Sequence, residues 1–283
     1  MFVSLDQLGG DTGPEQGSDA WFQRRKHKMT GSKPANIMFD CKSDADWQRL
    51  HNEFFGEAKR EAFTAEQQSF VDWGSKHEDT AVQELIKRLP NTIVYETSII
   101  DHPTYDWMAA SPDGYILRVD DVTKDAPTVL ERAALEIKCP LSKYRNDPYK
   151  MDAEMRKKKH PPYYYMTQIH FEMVALGCRT TYFYMWTPVR SHLWKLRFDD
   201  AYWVQTVAVL DAFRRRELPW PVMEAHINAW KKTSRGFAMR HDPIAEWDHR
   251  PAPSPHTPIK SSSARQRLSQ EDQDILRRLY GST

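Results

Sequence analysis

The sequence predicts an α/β or α+β core spanning about 200 of its 283 residues. Three observations carry that expectation. Apolar residues recur at helical spacing as far as Leu89, then alternate from Thr92 onward, so the period changes from 3.6 to two across Pro90-Asn91. One helical segment interrupts the strands, as a crossover connection does. The hydrophobic share of 40% and charged share of 28% are those of an ordinary folded chain.

Residues 1–18 are polar and Gly-rich and read as a loose arm. A short helix is expected from Asp19 (DAWFQRRKHK). After it, the hydroxyls of Thr30 and Ser32 suit an N-cap, and Pro34 falls in the first turn of a second helix. Residues 44–70 have helical composition, with Trp47, Leu50, Phe54 and Phe55 as apolar points. The strongest helix places Val71, Val82, Leu85, Ile86 and Leu89 on one stripe. Strands follow in TIVYETSII, DWMAA, GYILRVD and VLERAALEIKC, then a helix from Tyr163 to Gly177, then strands RTTYFYMW and SHLWKLRFD, then a helix from Asp200 to Arg216. Residues 19–247 thus make one folded body. Pro251, Pro253, Pro255 and Pro258 with neighbouring Ser and basic residues make 248–268 a linker, and 269–283 a short amphipathic helix bearing Ile275, Leu276 and Leu279.

Composition excludes several classes. With 40 Lys plus Arg against 39 Asp plus Glu, the net charge of +1 argues against nucleic-acid binding by bulk charge and says nothing about a local patch. No apolar run approaches the roughly 20 residues that span a bilayer, and the N-terminus lacks the pattern of a secretory signal. Three Cys without CxxC spacing offer neither a disulfide framework nor a four-cysteine metal or iron–sulfur site, so a reducing, cytoplasmic location is expected.

The chemistry concentrates in a few places. In LEIKCP, Glu136 and Lys138 leave one face of a strand whose other face carries Leu135 and Ile137. A wetted edge strand produces the same pattern. Asp113 lies 23 residues earlier in Ser111-Pro112-Asp113-Gly114, a turn that leaves one carboxylate at its rim and is also an excellent turn on its own account. Taken together, two acids and an amine are what metal-dependent phosphodiester cleavage needs: carboxylates for a hard cation, and an ammonium to orient water or offset developing charge. Glu78 shares the stripe of Val82 and Leu85 and would need a cation if buried there; if the stripe is exposed at that end, it is an ordinary helix-N-terminal acid. From Lys138 to Lys159, eight basic residues (Lys138, Lys143, Arg145, Lys150, Arg156, Lys157, Lys158, Lys159) face three acids and interleave with aromatics, as a surface for phosphates and unpaired bases does. A solubilising loop with core-packed tyrosines has the same composition.

Five blocks, WFQRRKHKMTGSKPANIM, WGSKHEDTAV, MAASPDGYI, LEIKCP and PPYYYMTQIHFEMVALG, resemble in order and spacing the lambda-type phage exonucleases, or YqaJ-like viral recombinases, of the PD-(D/E)xK nuclease superfamily. The resemblance implies a restriction-endonuclease-like three-layer core with a central mixed sheet, two Mg²⁺ ions with Mn²⁺ as a substitute, and processive 5′-to-3′ digestion of one strand of duplex DNA. It implies Asp113, Glu136 and the carbonyl of Ile137 as ligands of one metal, and Glu78 as the ligand of the second. It also makes Lys138 the residue that positions water, Gln168 a buttress, and Arg25 and Ser32 the binders of the 5′-phosphate. Lys143, Arg145 and Arg156 to Lys159 are expected to meet DNA. A ring-shaped homotrimer is implied too, though the insertion at Asp120–Thr128 and the tail beyond about residue 225 depart from the family. The terminal helix has the form of a docking peptide for a single-strand annealing protein, or for the chain's own body. An endonuclease of the same superfamily, or an idle DNA-binding module, are the alternatives.

Overall fold

The computed structural model describes residues 14, 16–56, 64–125 and 127–249. The order of elements is α1 (Asp19–Arg25), β1 (Met29–Thr30), α2 (Lys33–Asp40), α3 (Asp44–Phe55), α4 (Ala65–Arg88), β2 (Thr92–Tyr95), β3 (Ile100–Asp101), β4 (Met108–Ala110), β5 (Gly114–Val119) and β6 (Val129–Lys138). Then come α5 (Pro148–Met155), a 3₁₀ turn at Tyr163–Tyr165, α6 (Met166–Ala175), β7 (Thr180–Trp186), β8 (Arg190–Arg197), α7 (Asp200–Arg215), α8 (Trp220–Ala238) and β9 (Ala245–Asp248).

Six strands form the main sheet in the order β2-β5-β6-β7-β8-β9. All neighbours are antiparallel except β6 and β7, which run parallel with Glu136 opposite Phe183 and Lys138 opposite Met185. A parallel pair needs a crossover, and α5 and α6 supply it. The sheet is therefore mixed, and helices cover both faces. On one side Ala81, Val82 and Leu85 of α4 pack on Leu135, Ile137, Tyr182 and Tyr184. On the other, α2, α3, α6, α7 and α8 share a core with Phe183, Met185 and Trp194. Alternation along β6 and β7 sends neighbouring residues to opposite layers, which produces the three-layer α/β arrangement.

A second, three-stranded sheet has the order β1-β4-β3, with Met29 beside Met108 and Thr30 beside Ala109. This short parallel contact ties the first helical region to the strand leading into Ser111-Pro112-Asp113. Trp21 Nε1 reinforces it by donating to Ser111 Oγ at 3.1 Å.

Local chemistry explains most boundaries. Ser18, Ser43, Thr64 and Asp199 each accept a first-turn N–H, capping α1, α3, α4 and α7, and Thr64 with Gln67 closes a reciprocal capping box. The C-terminus of α6 ends as Gly177-Cys178 predicts. Gly177 has φ of +63°, its N–H reaches Val174, and the N–H of Cys178 reaches Met173 at 2.9 Å, a Schellman arrangement.

Several expectations are corrected. Helix α4 starts at Ala65 rather than near Val71, and Val71 is exposed because only the C-terminal half of α4 meets the sheet. Part of the basic stretch after β6 is helical, since Asp147 caps α5 and Met151 and Met155 anchor it in the core. Strand β9 pairs Glu246 with His192 and Asp248 with Arg190, so the first residue assigned to the linker is the last of the sheet. The rest of that linker and the terminal helix lie outside the described residues.

Candidate active site

Gly114 pairs with Leu135, so the Ser111-Pro112-Asp113 turn delivers Asp113 beside Glu136. The fit depends on glycine at 114, where a Cβ would stand 3.1 Å from the Tyr95 carbonyl oxygen. Asp113 is 8% exposed, and its Oδ2 accepts the main-chain N–H of Ile137 at 2.7 Å. A ladder bond is thereby replaced by a bond to a carboxylate, which fixes the Asp113 side chain against the strand that carries Glu136, Ile137 and Lys138.

Glu136 is wholly buried. Its Oε1 accepts from Gln168 Nε2 at 2.5 Å and is in ion-pair contact with the Lys138 ammonium. Its Oε2 has no hydrogen-bond partner. The Lys138 side chain keeps 27% exposure at the mouth of the site and lies 5.2 Å from the ring centre of Tyr165. Burial works against its charge, but Glu136 and Asp113 outweigh that and hold the lysine well above its ordinary value, so it remains an ammonium. Thus Asp113, Glu136, Ile137, Lys138 and Gln168 come together, from a turn, a strand and a crossover helix.

Sequence reasoning missed Glu172, one helical turn after Gln168 on α6. It is 1% exposed, and neither carboxylate oxygen has a hydrogen-bond partner. Burial first, then the charges of Glu136 and Asp113, push its carboxyl well above the usual carboxylate range. The Glu172 and Glu136 carboxyls adjoin, and the proton that Glu172 retains can be shared between them. The Gln-x-x-x-Glu spacing that places both side chains on one face of α6 was the available signal.

Glu78 is elsewhere. It is half-buried on α4, across the sheet from α6, and precedes the buried Ala81 and Val82. Among the described residues no three His, Cys, Asp or Glu side chains form a group able to hold a metal ion, so Glu78 does not complete such a group with Asp113 and Glu136. What the centre offers a hard cation is the paired carboxylates of Asp113 and Glu136. Oxygen donors of this kind, completed by water, suit Mg²⁺.

The first block approaches the same centre from α2. Gly31 packs against Gln168, where a Cβ would meet Gln168 Cγ at 3.2 Å. Ser32 precedes α2 with helical angles and makes no side-chain capping bond, contrary to the N-cap role its sequence suggests, and it is exposed. Arg25 stacks 4.1 Å from the Trp21 ring centre and donates to Thr30 Oγ1 at 3.0 Å. Its neighbours are committed otherwise, Arg24 and Lys28 both pairing with Asp101.

The basic stretch divides. Lys143, Arg145, Lys157 and Lys159 are exposed and Lys158 is half-buried, whereas Arg156 is bound to Asp152 at 2.7 Å and Asp248 at 3.5 Å. Arg190 joins the same acids from beneath, which ties α5 to β8 and β9. Arg156 thus shares an ion-pair network with Arg190 while its side chain stays 51% exposed. No helix among the described residues is long and apolar enough to cross a membrane.

Comparison with known proteins adds an independent line. A family model described as the YqaJ-like viral recombinase domain matches residues 20–181, which include every site residue named above. Among solved structures the chain is similar to an alkaline exonuclease (LHK-Exo) from Laribacter hongkongensis, at 22% identity and a TM-score of 0.51, over 78% of this chain and 100% of that one. It is likewise similar to LHK-Exo in complex with dAMP, at 23% identity and a TM-score of 0.52 over the same shares. At such identity the likeness speaks to the fold. No curated protein sequence matches.

Proposed function

The chain belongs to the YqaJ-like viral recombinase family, and on that premise we propose that it is a metal-dependent 5′-to-3′ exonuclease of duplex DNA that leaves 3′ single strands for recombination or end processing. As a member of this family it is a nuclease, a hydrolase acting on DNA, on a PD-(D/E)xK fold. The observation that carries the finer reading is the joining of the Asp113–Glu136–Lys138–Gln168 cluster to the α2 terminus through Gly31.

Nucleases of this kind are in general divalent-metal dependent, and the donors present fit such an ion. Glu136 Oε2 is buried with no partner, and Asp113 is held at its side. Asp113, Glu136 and the Ile137 carbonyl would hold one ion and Glu78 would serve a second. Mg²⁺ bound there supplies Lewis-acid polarisation of the phosphodiester and a water of lowered pKa. The chain's own groups do the rest. Lys138, kept cationic, donates to the attacking water or to the phosphate oxygen that gains charge. Gln168 holds Glu136 in its rotamer, and the Tyr165 ring lies against the ammonium. Cleavage between phosphorus and the 3′ oxygen releases a nucleotide and leaves a new 5′-phosphate on the remaining strand. Ser32, at the start of α2, and Arg25 would hold that phosphate through a hydroxyl, free helical N–H groups and a guanidinium. Lys143, Arg145 and Arg156 to Lys159 would follow the backbone, and a homotrimer around the product strand would account for processivity.

The test uses linear duplex with and without a 5′-phosphate, and closed circular DNA, each with Mg²⁺. Linear phosphorylated DNA should be degraded fastest and circles spared. Asp113→Ala or Glu136→Ala should abolish cleavage while DNA binding persists. Arg25→Ala or Ser32→Ala should remove about ten- to a hundredfold of the preference for phosphorylated ends, the worth of a charged hydrogen bond. Equal rates on circles and ends would favour an endonuclease.

A further inference from the structure

The family reading leaves Glu172 without a task, yet it is the most heavily buried unpartnered acid beside the centre. It lies 1% exposed on α6, both its oxygens lack a donor, and the neighbouring Glu136, 0% exposed, lacks one at Oε2. Three buried carboxyl oxygens thus lie together with no amide, hydroxyl or amine donor reaching them. Burying an ionisable acid there costs several kcal/mol unless a proton or a cation accompanies it, and packing alone does not require an acid, because a Gln or Met of the same reach would fill the volume. The rest of α6 offers no donor in that direction: Ile169, Phe171, Met173 and Val174 are apolar and buried, and His170 is engaged with Met166 and Asp199.

We propose that Glu172 is an outer acidic residue of the metal centre, a positioning carboxylate that accepts hydrogen bonds from water carried by a divalent ion at Asp113 and Glu136. The inference rests on the metal-dependent reading above and extends it to a residue with no assigned role. Direct coordination is not needed, which agrees with the absence of a three-side-chain metal group among the described residues. A carboxylate behind the ligands raises affinity for a cation and orients its water, as outer-shell acids do at other metal sites.

The experiment measures Mn²⁺ binding by calorimetry on the full chain, with thermal melts with and without Mn²⁺. Glu172→Gln keeps the shape and removes the charge. It should bind Mn²⁺ at least fivefold more weakly, and Mn²⁺ should raise its melting temperature less than that of the unaltered chain, while its metal-free form melts no lower. Affinity within less than fivefold of the unaltered chain, with a higher melting temperature, would make Glu172 a buried core acid and overturn the proposal. If Glu172→Gln does not fold, Glu172→Met is read by the same criteria. Asp113→Asn separates the two levels: it should lose Mn²⁺ binding whatever Glu172 does, and its failure to do so would sink the metal reading itself.

Discussion

Helices α4 and α6 flank the same sheet from opposite sides, and each contributes an acid considered for the metal site, but they treat that acid differently. In α6 nine of ten residues are buried, Gln168 being the exception, so Glu172 has no water to solvate it. In α4, of 24 residues, Ala81, Val82 and Leu85 are the buried ones, and Glu78 keeps access to solvent. An acid on α4 is cheap to keep and weakly diagnostic, whereas one on α6 must be matched by a cation, a proton or a donor. Placement relative to the sheet, not the residue type, decides how much function a carboxylate implies.

The sharpest way to probe the buried side is Lys138. Lys138→Ala should lower the cleavage rate by roughly 10²- to 10³-fold, as loss of a transition-state donor does. Single-turnover kinetics at saturating Mg²⁺ would read it, and a loss smaller than about tenfold would place Lys138 with the solvated charges of α4, well below that range.

A second probe uses His170, also enclosed in α6. Burial lowers its pKa from 6.5 to about 4, with Nδ1 donating to Met166 O at 2.7 Å and Nε2 accepting from the Asp199 N–H at 3.2 Å. The folded value is depressed, so the unfolded chain binds the proton more readily. The associated stability is complete above pH 6.5 and is lost as pH falls toward 4, by about 3 kcal/mol for this group. Melting temperatures should fall over that window, less steeply in His170→Gln, and equal slopes would show that the ring is not held neutral. The smallest effect belongs to α4. Glu78→Gln, which keeps one oxygen donor toward the second ion, should weaken metal affinity by about tenfold, the low end of the range for altered metal-site groups, and saturating Mg²⁺ should restore the rate. Abolished cleavage at all metal concentrations would erase the contrast between the two helices.

The same contrast explains what the sequence disclosed. Asp113, Glu136 and Lys138 were legible because a Pro-Asp-Gly turn and a Glu-x-Lys strand carry their geometry locally. Gln168 was named through the family resemblance, and the structure sets it on Glu136. Glu172 was not legible, because an acid in a helix ordinarily faces water, and its burial comes from packing against β6 and β7. Strand β9 was hidden for a similar reason, since it is four residues long and pairs with a strand some 50 residues earlier, Ala245 opposite Leu193. The capture of Arg156 by Asp152 and Asp248, and of Arg24 and Lys28 by Asp101, likewise depends on long-range neighbours. Runs of like charge in sequence say little about which members stay available.

The contact at Gly31 limits how this enzyme can be re-engineered. A methyl group there would press on Gln168 Cγ, and Gln168 is the residue that holds Glu136. Exchanging the segment before α2 for one without glycine at position 31 should shift Gln168 by a few tenths of an ångström and be felt at Glu136, a disturbance that a graft keeping the glycine avoids. A change made on α2 is thus registered on α6, so redesign of the first helices has to be judged at the cutting centre as well.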